Sequence, residues 1–179
     1  MGVMSTTASL SLKEFHRLYD GVKPNYEYWF GEAIPKPMGT SVHGTVQFIL
    51  MLLLDRSDWN TASEVTLKLV PDAEPVPDII ASRSRIERPY PTKPVELCIE
   101  IRSPADSLKK IFEKGKYYLS WGVQDVWIVD PDARTAWIMT RDHPDGIWVH
   151  PDDSLRAGED LLVSLPELFS EVDKRVASS

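Results

Sequence analysis

The chain has 179 residues, 42% of them apolar and 26% charged, which suits one domain with a sizeable core and the composition of an ordinary globular protein. Its formal net charge of −7 argues against a protein that coats nucleic acid non-specifically, though not against a nuclease whose acids gather at a metal. The lone Cys98 excludes an intramolecular disulfide; no apolar run could cross a bilayer, and the first residues lack a signal-peptide core, so a cytoplasmic protein without a membrane partner is expected.

Residues 1–9 read as a flexible N-terminus and 10–175 as a single domain. Within "SLSLKEFHRLYDG" a short helix is predicted, with Ser11 as N-cap, Glu14 completing a capping box and Gly21 stopping it. "YEYWFGEAIPKP" alternates aromatic and polar residues around Gly31, the pattern of a hairpin or bulged strand pair. "SVHGTVQFILMLLLDRS" is a helix whose three/four spacing places His43, Val46, Gln47, Leu50, Leu53 and Leu54 on one side. A strand is predicted over "SEVTLKLV" with Val65, Leu67 and Leu69 on one face, and a short buried strand over "PVPDIIAS". The loop "SRSRIERPYPTK" gathers Arg83, Arg85, Arg88 and Lys93, either a solvated surface loop or a phosphate-contacting patch. In "VELCIEI", Val95, Leu97, Ile99 and Ile101 face one way and Glu96, Cys98 and Glu100 the other. The next helix, "DSLKKIFEKGKYYLSWG", carries an apolar stripe of Leu108, Ile111, Phe112, Gly115 and Leu119 and ends at Gly122; its interior Gly115 suggests a close packing contact. Strands "DVWIVD", "TAWIMT" and "GIWVH" follow, then a final amphipathic helix in "SLPELFSEVDKR". This order of elements predicts an α/β fold with a mixed central sheet flanked by helices.

Two acids break the apolar pattern: Asp78 at the start of one predicted strand and Glu100 near the end of another. An unpaired buried charge is costly, so each needs a cation. Paired carboxylates followed by a helical lysine suit Mg²⁺, which takes one or two carboxylates together with waters and phosphate oxygens, while the lysine orients water and neutralises phosphate charge. The blander alternatives are a turn or strand cap for Asp78 and a structural ion pair with Arg102 or Lys114 for Glu100. Cys98 shares the face of Glu100 but has no evident base partner, and reads as a buried inert thiol.

The pair Pro77-Asp78 with Glu100-Ile101-Arg102 resembles the core motif of the PD-(D/E)xK nuclease superfamily, except that Arg102 stands where that motif has lysine. Arginine can hold phosphate but is a poor general base. The longer run "EIRSPADSLKKIFEKGKYYLSWGVQDVWIVDP" resembles the signature of the Uma2 family, also called DUF820, whose members are described as restriction endonucleases. Its E-V-x-S-P stretch, helical lysine, tyrosine and G-V-x-E-Y-W-x-V-D-P match Glu100, Ser103-Pro104, Lys114, Tyr118, Gly122-Val123 and Trp127 to Pro131. "YEYWFGEAI" is similar to the family's Y-E-I-x-x-G-E segment and "SVHGTVQFIL" to its S-x-x-H helix. Lys110 stands where many members have an acid, and "QDVW" replaces "PEYW".

The resemblance implies a restriction-endonuclease-like core and a Mg²⁺-dependent endonuclease (Mn²⁺ as substitute) with DNA as substrate. Asp78 and Glu100 would hold the metal, Lys114 would be the displaced lysine, and Glu32 and His43 would assist. Arg102 and Arg85 are the expected phosphate contacts. A homodimer is expected from the apolar last strands, where Trp127, Trp137 and Trp148 belong to the core or a dimer surface. The competing readings are a catalytically silent binding or regulatory module that keeps the fold, and a metal-dependent hydrolase of other substrates.

Overall fold

The computed structural model describes residues 9–176; apart from Ser9, the expected flexible N-terminus lies outside the described residues. Helix α1 (Leu12–Tyr19) starts at Ser11, whose hydroxyl accepts the Glu14 N–H while the Glu14 carboxylate accepts the Ser11 N–H, the reciprocal box its sequence predicts. Strand β1 (Tyr26–Trp29) turns through Phe30 and Gly31, at φ 48° and 91°, into β2 (Glu32–Pro35). Two successive left-handed residues make the tight hairpin turn. Helix α2 (Ser41–Asp55) is capped by Thr40, whose side chain accepts from the His43 N–H. Its buried face includes Ile49, where the spacing suggests Gln47. Gln47 is half-buried and donates to the Asp78 carbonyl at 2.7 Å.

The strand expected over 63–70 is displaced. Strand β3 (Asn60–Ser63) lies earlier, because Glu64 takes a φ of 56° and turns the chain out of the extended conformation. Residues 65–69 are irregular, yet Leu67 is fully buried, so the alternation reports burial without pairing. Strand β4 (Ala73–Glu74) pairs with β1. There follow β5 (Ile79–Ser82), β6 (Leu97–Ile101), α3 (Leu108–Ser120), β7 (Asp125–Asp130), β8 (Thr135–Thr140) and β9 (Ile147–Val149). A second hairpin, β10 (Ser154–Ala157) with β11 (Leu161–Ser164), has no counterpart in the sequence prediction; α4 (Leu165–Asp173) is the expected final helix.

The main sheet runs β3-β5-β6-β7-β8-β9. Strands β6 and β7 are parallel and joined by α3, whereas the other neighbours are antiparallel, so the fold is α/β with the mixed, helix-flanked sheet its element order predicts. Each face has its own core. Leu97, Ile99 and Ile101 point to the face packed by α2 and α4; Cys98 points to the other, with Ile80, Val126 and Ile128, beneath Ile111, Tyr118 and Leu119 of α3. Gly115 allows this approach, since a Cβ there would lie 2.5 Å from Met139 Sδ. Trp127 is fully buried, Trp137 packs at the core margin and Trp148 is half exposed. Burial pushes the Cys98 thiol pKa up, in keeping with an inert buried group.

Candidate active site

The β5–β6 register pairs Ile79 with Ile99 and Ile80 with Cys98. Continued by one step, it sets Asp78 opposite Glu100. Strand alternation places both acids on the α3 face, since Asp78 has the parity of Ile80 and Glu100 that of Cys98. Both are buried. The Ile101 N–H closes the strand end by donating to Asp78 Oδ2 at 2.6 Å.

Like charges facing one another need cations, and lysines from two directions supply them. Lys114, on α3, places Nζ 3.0 Å from Glu100 Oε1 and 3.0 Å from Glu27 Oε1. Tyr118, one turn further along, donates its hydroxyl to Glu100 Oε1 at 2.7 Å. Glu27, buried on β1, also accepts from the Val76 N–H at 2.7 Å and Trp29 Nε1 at 3.0 Å. From the end of β2, Lys36 reaches Asp78 Oδ1 at 2.9 Å. His43, in the first turn of α2, sets Nε2 3.2 Å from Asp78 Oδ2.

The environment separates the two acids. Burial raises the Glu100 pKa, Lys114 opposes the rise only partly and Asp78 adds to it, leaving this carboxyl pushed up to about 7. Burial acts on Asp78 in the same sense, but the His43 hydrogen bond and the Lys36 charge outweigh it and hold the carboxyl well below the usual range. Burial would lower Lys114; Glu100 and Glu27 overcome it and raise the amine above the ordinary lysine value, so it stays protonated. Lys36 behaves likewise, with Asp78 as its chief carboxylate partner. His43 is also raised, the Asp78 contact exceeding the effect of burial.

Asp78, Glu100, Lys114 and His43 thus converge on one cavity of about 290 Å³, which Glu27 and Lys36 also line. Glu32 does not join them: it is exposed beside the hairpin turn, and Glu27 brings the third carboxylate instead. Arg102 donates to Asp130 Oδ2 at 2.6 Å, and it does not line the cavity. Arg85 is exposed on a separate surface with Ser84 and Glu87. Arg83 is engaged with Glu96 and Asp160. Of the residues that sequence reasoning missed, Glu27 was signalled only by an acid among the aromatics of "YEYW", and Lys36 by nothing beyond a lysine between two prolines.

The paired carboxylates Asp78 and Glu100 offer the oxygen donors that a hard divalent ion such as Mg²⁺ takes, one or two at a time with waters completing its shell. Four acids (Glu27, Asp78, Glu100, Asp106) and three lysines (Lys36, Lys110, Lys114) line the cavity together with His43. Both contacts to Glu100 fall on Oε1, leaving Oε2 for a further ligand. Among the described residues no group of three or more His, Cys, Asp or Glu side chains is arranged to hold a metal ion. No described helix is long and apolar enough to cross a membrane.

The Uma2 family model, described as "Putative restriction endonuclease", matches residues 12–173. The chain is similar in structure to a "putative nuclease belonging to DUF820" from Anabaena variabilis ATCC 29413, with 25% identity and a TM-score of 0.75 over 91% of this chain and 99% of that one. A likeness to the DrdV–DNA complex solved by cryoEM spans 71% of this chain and 11% of that one, at 18% identity and a TM-score of 0.40, too distant to bear on function. No curated protein matches the chain.

Proposed function

The chain belongs to the Uma2 family, and on that premise we propose that it is a divalent-metal-dependent endonuclease that hydrolyses DNA phosphodiester bonds at the cavity between Asp78, Glu100 and Lys114. The observation that carries this reading is the facing of two buried acids, Asp78 and Glu100, each with a lysine ammonium within 3.0 Å.

A bound Mg²⁺ or Mn²⁺ would supply Lewis acidity to the phosphate. Asp78 and Glu100 are the residues that would hold it. Tyr118 fixes Glu100 by its hydroxyl, and His43 and the Ile101 N–H fix Asp78. Lys114 has three donors; Glu27 and Glu100 engage two of them, and the third is left for a water or phosphate oxygen in the cavity. Because its pKa is raised, Lys114 keeps its proton and acts as an electrostatic group that positions the water, not as its base. Lys110, which also lines the cavity, is better placed for a phosphate contact than Arg102 or Arg85. Half-exposed Ile147 and Trp148 on the edge strand β9 support a homodimer.

The test is nicking and cleavage of supercoiled plasmid in Mg²⁺ or Mn²⁺ by wild type, Glu100→Ala and Lys114→Ala. Wild type is expected to cut and both variants to lose about 100-fold or more in rate. Equal cutting by all three would place the chemistry elsewhere. A wild type that binds metal and leaves DNA intact would favour the silent binding module.

A further inference from the structure

Lys36 is not one of the residues the motif marks, yet every donor of its ammonium is engaged. Its backbone is pinned by its N–H, which donates to the Asn25 carbonyl at 2.7 Å. Its side chain is only 12% exposed. The ammonium meets the Val76 carbonyl at 2.6 Å, Glu64 Oε2 at 2.8 Å and Asp78 Oδ1 at 2.9 Å. An ammonium has three donors, and three oxygens take them. Nothing is left over for a phosphate or a water, which separates Lys36 from Lys114.

Two carboxylates and a main-chain carbonyl are also the oxygen donors a hard divalent cation takes. The chain bends to assemble them. Glu64 adopts its left-handed φ of 56°, its N–H donates to the Asp78 carbonyl at 3.2 Å, and Gln47 ties the same two residues together from α2. Many metal nucleases clamp the scissile phosphate between two ions.

We propose that the Lys36 ammonium is a built-in second cation: it fills the place of a second divalent ion beside Asp78, so that the protein takes one divalent ion, on the Glu100 side, rather than two. The inference rests on the metal-dependent reading above. Lys36 is a positioning residue, holding Asp78 and Glu64 in place with a charge that cannot diffuse away.

Calorimetric titration of the full chain with Mn²⁺ alone, wild type against Lys36→Met, tests it. One site is expected in wild type and two in Lys36→Met, with a return to one when Glu64→Gln is added. One site in both proteins overturns the inference and leaves the metal-dependent reading standing. Two sites in wild type also overturn it. No site in wild type but one in Lys36→Met removes the metal-dependent reading and overturns the inference with it. No site in either protein sinks both. Should Lys36→Met fail to fold, the wild-type ammonium still reports. A slowly exchanging Lys36 Nζ resonance that persists at saturating Mg²⁺ is expected, and its loss to fast exchange overturns the inference.

Discussion

Glu27 Oε1 and Lys114 Nζ stand 3.0 Å apart although 87 residues separate them along the chain. The contact joins the N-terminal hairpin to α3 in the wall of the cavity, and it brings the lysine within 3.0 Å of Glu100 Oε1 in the same step.

Removing Glu27 therefore damages both fold and site. Glu27→Ala leaves the buried Lys114 amine short of one carboxylate and the Val76 N–H and Trp29 Nε1 without their acceptor. Breaking a buried pair from one side costs about 3–5 kcal/mol, which a urea denaturation midpoint will show. Glu32→Ala, on the exposed turn, should stay within about 0.5 kcal/mol of wild type. Comparable losses in the two variants would reverse the assignment of the third carboxylate.

Metal affinity should depend on pH through Glu100. On the proposed reading Glu100 is a metal ligand, and a carboxyl whose pKa is pushed up to about 7 must lose its proton before it coordinates. Apparent Mg²⁺ affinity is thus expected to fall about tenfold from pH 8 to pH 6, measured by calorimetry. In the metal-free protein the sign for stability follows from the same rise above the ordinary value of 4.5. The contribution of Glu100 is fully present below that value, is lost as pH climbs through about 7, and is constant beyond. An affinity flat from pH 6 to pH 8 would mean that Glu100 is ionised throughout.

At the proposed metal site His43 would act through Asp78, whose Oδ2 it holds at 3.2 Å. Groups that orient a ligand typically govern 10–100-fold in metal affinity, and His43→Asn is expected to lose about that much. Unchanged affinity would show that the Ile101 N–H and Lys36 suffice to aim the carboxylate.

Gly115 tests the packing that lets α3 settle on the sheet. Alanine gains about 1 kcal/mol in helix propensity, but its Cβ would meet Met139 Sδ at 2.5 Å and Cε at 2.9 Å in a fully buried position, and overpacking of that kind costs about 1–3 kcal/mol. Gly115→Ala should destabilise by about 1 kcal/mol on balance, and adding Met139→Ala should relieve the clash. A stabilised single variant would mean that Met139 moves aside freely.

Much of the site was legible because its parts lie on elements with clear periodicity. Glu100 interrupts an alternating strand, and Lys114 follows on a helix whose stripe ends in a glycine; a charge in such a pattern stands out, and the resemblance to the family adds the link between them. Glu27 escaped notice because β1 is buried along most of its length, so alternation does not separate an inward acid from an outward one. Lys36 lies past the last residue of a short, largely exposed strand, and only the folded chain brings it to Asp78. The misplaced strand near Glu64 has a similar origin: a single left-handed residue ended the pairing, and no local pattern announces that for glutamate. Hairpin β10–β11 is an alternating pair around Gly158, at φ 56°, in a stretch whose charges read as loop.

The one-step extension of the β5–β6 ladder also guards against misfolding. Were β5 to slip by a single residue, every side chain on it would exchange faces. Asp78 would then point into the apolar layer beneath α2 and α4, away from Lys36 and His43, and Ile79 would take its place among the lysines. An unpaired buried charge costs several kcal/mol, comparable to the whole stability of many domains. The misregistered chain is thus unstable for the same reason that the correctly aligned one faces its two acids.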